Sequence, residues 1–141
     1  MCQPATEVLV VVPDRRVRAG LRTLLSAGGF VISGEAAGAS AARAAARGRP
    51  PGAAVIDPLL PGLSRGCELI SWLATQFGTV VVALTSDPGA RSAVMSSGAS
   101  RVLMKGCEPD AVLAALGRDP RRAGDLGDAQ LPSVPRARGG T

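Results

Sequence analysis

The chain has 141 residues, 46% of them hydrophobic, so a buried core is within reach without disulfide or metal staples. It contains no histidine, which excludes histidine metal sites, Ser-His-Asp triads and Cys-His nucleophiles, and its 2% of aromatics leaves nothing for base-stacking platforms. The formal net charge is +5, of which about +2 belongs to residues 118–141 (five Arg against three Asp), and the rest is too dispersed for a nucleic-acid footprint.

Short apolar runs alternate with helical patterns along the chain. Val8–Val12 is a near-continuous apolar run, as in a strand covered on both faces. Val17, Leu21, Leu24 and Leu25 then recur at helical spacing, with Arg15, Arg16, Arg18 and Arg22 on the other side as a solvated face, and Gly28-Gly29 stops the helix. Phe30–Ala36 reads as a second strand and Ala-rich Ser40–Arg47 as a second helix, closed by Gly48 and Pro50. Ala53–Asp57 is a third strand ended by Pro58. Pro61-Gly62 makes a turn, and Cys67, Leu69, Ile70, Leu73 and Phe77 outline a third helix in which Trp72 and Phe77 serve packing. Residues 79–84, TVVVAL, form the strongest strand. Asp87-Pro88 caps a short helix reaching Ser97. Arg101–Met104 is a fifth strand, and Glu108–Leu116 a final helix with Gly117 just past its end.

Five such β-α units imply an α/β fold, a flavodoxin-like doubly wound sheet of five parallel strands with helices on both faces. A ligand site in that architecture lies at the carboxyl ends of the strands. Asp14, Asp57, Thr85, Ser86 and Lys105 fall there. Lys105 is the only Lys among sixteen basic residues. Residues 6–117 form the domain; the Pro- and Gly-rich stretch 118–141 has no apolar period and reads as a linker or tail. Asp14 reads as the cap of the first helix, Asp57 as a partner for Lys105, and Thr85 and Ser86 either as satisfiers of backbone groups at a strand end or as part of a switch.

The stretches VRAGLRTLL, GEAAGASAARAAA, AAVIDPLLPG, VVALTS and SGASRVLMKGCEPDAVLAAL, in this order and spacing, resemble the receiver domain of two-component response regulators. The chain is most similar to receivers that precede a LuxR-type helix-turn-helix, which implies a role in bacterial transcriptional control. The resemblance implies that Asp57 stands at the phosphoacceptor position, Thr85 at the switch hydroxyl, and Lys105 at the lysine that contacts the phosphoryl group. It also implies a Mg²⁺ site built from the acceptor and an acidic pair after the first strand. Here that pair is replaced by Val12 and Pro13. Val102 takes the place of the frequent aromatic switch residue, Pro58 follows the acceptor directly, and Ser64-Arg65 resembles a one-residue insertion before Gly66.

Mg²⁺ wants hard oxygen ligands in near-octahedral geometry, and Val12 and Pro13 supply no carboxylate. The expectation is therefore an atypical receiver, a pseudo-receiver: not an enzyme, without cofactor, acting through a protein or small-molecule partner or as a homodimer. The alternative is a phosphorylatable receiver with Asp14 and Asp57 holding Mg²⁺ and a histidine kinase as donor. DNA contact would need a further domain, since no helix-turn-helix pattern lies within these residues. A nucleotide-binding enzyme lacks support, because neither GxGxxG nor a Walker loop is present. Cys2, Cys67 and Cys107, without a CxxC pair, read as reduced thiols. With no membrane-length apolar run or targeting segment, the expected location is cytoplasmic.

Overall fold

In the computed structural model, which describes residues 6–117, Val-rich runs become the centre of a parallel sheet. The elements are β1 (Glu7–Val11), α1 (Arg15–Ala27), β2 (Val31–Ala36), α2 (Ala39–Gly48), β3 (Ala53–Ile56), α3 (Leu63–Phe77), β4 (Val80–Thr85), a 3₁₀ turn (Pro88–Ala90), α4 (Arg91–Ser96), β5 (Arg101–Met104) and α5 (Pro109–Gly117). The strand order is β2-β1-β3-β4-β5, with all four pairings parallel. This is the expected flavodoxin-like doubly wound sheet. The tail expected at 118–141 lies outside the described residues.

Successive strand residues point to opposite faces, so each strand feeds two cores. Leu9, Val11, Ala54, Ile56, Val81 and Ala83 pack with α2, α3 and α4 through residues such as Ala42, Ala46, Leu69, Ile70, Leu73 and Val94. Val8, Val10, Val12, Val55, Val82 and Leu84 pack on the other face with Leu21 and Leu25 of α1 and Val112 and Leu116 of α5. Double coverage explains why these strands read as unbroken apolar runs and not as alternating ones.

Several boundaries move by a residue. β1 begins at Glu7 and β3 stops at Ile56, leaving Asp57 just beyond the strand, where its N–H still donates to Val11 O at 2.9 Å. The segment after Asp87 opens as a 3₁₀ turn before α4, because Pro88 and Gly89 do not sustain an α-helical start. Asp87 caps it through Oδ1, which accepts from the Gly89 N–H at 2.9 Å. Gly117 is the last residue of α5, not the first beyond it. Ser64 and Arg65 lie in the first turn of α3.

One glycine fixes the loop that follows β3. A Cβ on Gly66 would run into the carbonyl group of Pro58, so α3 sits against this loop backbone with no room for a side chain. Gly20, by contrast, has open space around its missing Cβ and lies in the interior of α1. Gly66→Ala is expected to destabilise the domain by roughly 1–3 kcal/mol through this overpacking. Gly20→Ala should be neutral or stabilise by up to about 1 kcal/mol, since it only removes unfolded-state freedom in a helix. Urea unfolding of the two variants beside the parent measures both.

Candidate functional site

The carboxyl ends of β1, β3, β4 and β5 meet at one edge of the sheet. Asp57 continues the β3 ladder by one rung, and the Lys105 N–H continues β5 by donating to Thr85 O at 2.8 Å. The two backbones thus bring an acid and a base to the same end across β4. Lys105 Nζ donates to Asp57 Oδ2 at 2.6 Å. The Leu59 N–H donates to Asp57 Oδ1 at 3.1 Å, so both carboxylate oxygens are engaged. The Asp57 side chain is 9% exposed and that of Lys105 32%, so the acid is the buried member and the base reaches it from the rim. A carboxylate at that depth is costly unless paired and hydrogen-bonded, and here it is both.

Thr85 is fully buried, and its hydroxyl oxygen accepts from the Asp87 N–H at 3.1 Å. It thereby pins the loop that enters the 3₁₀ turn. Ser86 is exposed beside it. Asp14 lies on the rim as the N-cap of α1, with Oδ1 accepting from the Arg16 N–H at 2.8 Å and the Val17 N–H at 3.2 Å. These two bonds, and the Lys105 and Arg16 charges, hold its carboxyl below the ordinary value of 3.8.

Where an acidic pair would stand, Val12 is fully buried in the α1/α5 core and Pro13 is exposed. The Val12 carbonyl accepts from Arg18 Nη1 at 2.8 Å, and Arg18 Nε lies 3.6 Å from Glu35, which also pairs with Arg22 at 3.2 Å. The reading of Arg15, Arg16, Arg18 and Arg22 as one solvated face therefore needs correcting. Arg18 folds back over the end of β1 and ties the loop down, because its guanidinium, six residues after Val12, reaches that strand-end carbonyl. Helical periodicity marked its side of the helix but not this acceptor.

The family to which these residues point uses Mg²⁺, and the donor set does not fit it. Asp57 is the one carboxylate inside the site, with the Leu59 N–H on one oxygen and Lys105 on the other, and Mg²⁺ wants more than one carboxylate. Asp14 is committed through Oδ1 to its helix. Among the described residues no group of three or more His, Cys, Asp or Glu is placed to hold a metal ion. The positive charge beside Asp57 is the single one of Lys105.

Comparison with known proteins agrees with the fold. The family profile of the response regulator receiver domain matches residues 8–117, most of the chain, and the chain belongs to that family. Among solved structures it is similar to a CheY-like response regulator receiver domain protein from Methanospirillum hungatei JF-1, at 19% identity with a TM-score of 0.75, covering 88% of this chain and 100% of that one. A two-component response regulator of the LuxR family from Aurantimonas sp. SI85-9A1 matches at 25% identity, TM-score 0.69, over 88% of this chain and 96% of that one. A DNA-binding response regulator of the LuxR family from Staphylococcus aureus matches at 15% identity, TM-score 0.72, over 80% and 97%. No curated protein sequence matches the chain. The chain is thus a receiver domain of two-component signalling, a class of generally non-enzymatic modules that work through contacts with histidine kinases and other proteins. Among the described residues no helix is long and apolar enough to cross a membrane.

Two outcomes follow from the pair and the cap. Lys105→Met strands a buried carboxylate and should cost roughly 1–3 kcal/mol, whereas Asp57→Asn leaves a lysine free to turn to solvent and should cost less. A double-mutant cycle by urea unfolding should show the two losses to be non-additive, the double variant being more stable than their sum. For Asp14 the native carboxyl is more acidic than the unfolded one, so its stabilisation is present above 3.8 and is lost as pH falls through the lowered native value. The gap in thermal midpoint between the parent and Asp14→Ala should therefore be open at neutral pH and close on acidification.

Proposed function

We propose that this receiver signals without Mg²⁺-dependent phosphotransfer, as a pseudo-receiver that works by binding a partner. The observation that carries the reading is the 2.6 Å contact of Lys105 with Asp57 in a site whose second carboxylate position is the buried Val12. Transfer of a phosphoryl group to Asp57 would bring two anions together, a step that Mg²⁺ normally relieves by neutralising developing charge. Lys105, the cation in contact with Asp57, offers a single positive charge. Pro58 and the Gly66 contact further restrict the loop behind the acceptor.

In this reading Asp57, Thr85 and Lys105 are structural members of a closed site, and Ser86 stands exposed at its edge. The signal then enters through another surface. A second copy of the chain fits the face made by α4, β5 and α5, where Met95 and Met104 are 40% and 39% exposed and a small cleft of about 200 Å³ is lined by Arg101, Leu103 and Ala111. The likeness to regulators described as LuxR family and DNA-binding supports a place in transcriptional control, with DNA contacted by a separate domain.

The test is incubation with acetyl phosphate and Mg²⁺ followed by intact mass, with Asp57→Ala in parallel. The parent is expected to show no phosphoryl adduct while remaining folded by circular dichroism, and Mg²⁺ alone should leave its thermal midpoint unchanged. An adduct on the parent that Asp57→Ala abolishes would overturn the reading. If Asp14→Ala also abolished it, the substitute-ligand alternative would stand in its place.

A further inference from the structure

The strand-end site leaves unused a second cluster, between the first turns of α2 and α3. There a cleft of about 540 Å³ is lined by Ala39, Ser40, Arg43, Ser64, Arg65 and Glu68. The spacing on each helix explains the cleft. Ser40, Arg43 and Arg47 fall on one stripe of α2, and Arg65, Glu68 and Trp72 on one stripe of α3, three to four residues apart in each case. At one end the stripes are joined. The Trp72 ring carries the guanidinium of Arg43 at 5.0 Å and that of Arg47 at 5.3 Å, and Phe77 meets it edge-on at 5.2 Å. At the other end they open into the cleft.

Arg43 is therefore held in place by an aromatic face and not by an acid, which leaves its N–H donors available to a ligand. Arg65 has no carboxylate partner among the described residues, and Glu68 one turn away has no cationic one. Residues carrying two guanidiniums, two hydroxyls and one carboxylate line one space. Guanidinium forks match the oxygens of a phosphate, and serine hydroxyls donate to them. Glu68 opposes a bare anion but accepts from a hydroxyl. The geometry points to a binding site for a small phosphate monoester, with its phosphate on Arg43 and Arg65 and a hydroxyl of its organic part on Glu68. The cleft shares no residue with the Asp57–Lys105 pair.

The only tryptophan of the chain stands beside Arg43, so the protein carries its own reporter. Glycerol 3-phosphate and inorganic phosphate are titrated by calorimetry, and Trp72 emission is followed in the same samples. The expected result is saturable binding with an emission change and a preference for the monoester. Arg65→Gln, an exposed change, should weaken binding by about tenfold or more, as loss of a guanidinium–phosphate contact does. Glu68→Gln should tighten inorganic phosphate and erase the preference for the monoester. Lys105→Gln should leave the affinity as it is. Absence of saturable binding up to about 10 mM, a range that reaches even feeble ligands, would overturn the proposal. So would an unchanged affinity in Arg65→Gln, equal affinity for the two probes, or loss of binding in Lys105→Gln, which would move the anion to the strand-end site.

Discussion

In the centre of a parallel sheet covered on both faces, the residues of β3 and β4 and those of β1 after Glu7 all face one core or the other, and none is left for solvent. That constraint governs the whole molecule. It demands apolar residues along the central strands, and there it allows polar chemistry only where the strands give out and the chain turns toward the next helix. Asp57, Thr85 and Lys105 occupy those few places. Their meeting is a consequence of parallel register, which carries the ends of β3, β4 and β5 to the same edge.

The same constraint decides what Val12 does. At the end of β1 a carboxylate would turn into the shared site, whereas a valine prefers the α1/α5 core, and Val12 is buried there completely. Its carbonyl is left to Arg18. Beside Asp57 stands one ammonium, that of Lys105 just past β5. Each local element of this arrangement has its own contact: the capped start of α1, the Thr85 bond into the next loop, and the close seating of α3 on Pro58.

Much of this was legible in the sequence because it rests on short-range pattern. Runs such as residues 79–84 announce a buried strand, and five of them separated by helical spacing announce the fold. The lone lysine opposite a strand-end aspartate announced a pair. What escaped the sequence depends on distances between elements. Arg18 belongs to a helix face that looks solvated until the end of β1 is seen beside it. The facing stripes of α2 and α3 carry no joint signal, since the two helices are separated by a strand and two loops. Asp87-Pro88 marked a helix start correctly but not its 3₁₀ character, which comes from the Gly89 that follows.

The pairing of β1 with β2 breaks register between Val8 and Leu9, so that Ser33 stands as an extra residue on the outermost strand, its hydroxyl buried and without a partner. A bulge of this kind twists an edge away from flatness and spoils the regular comb of amides that a foreign strand would need. The other border, β5, is only four residues long and begins with a charged arginine. Neither margin of the sheet invites strand addition. Whatever this domain associates with is consequently met by helices, loops and side chains, and the protein is shielded at both borders from the edge-to-edge stacking that threatens open sheets in a crowded cell.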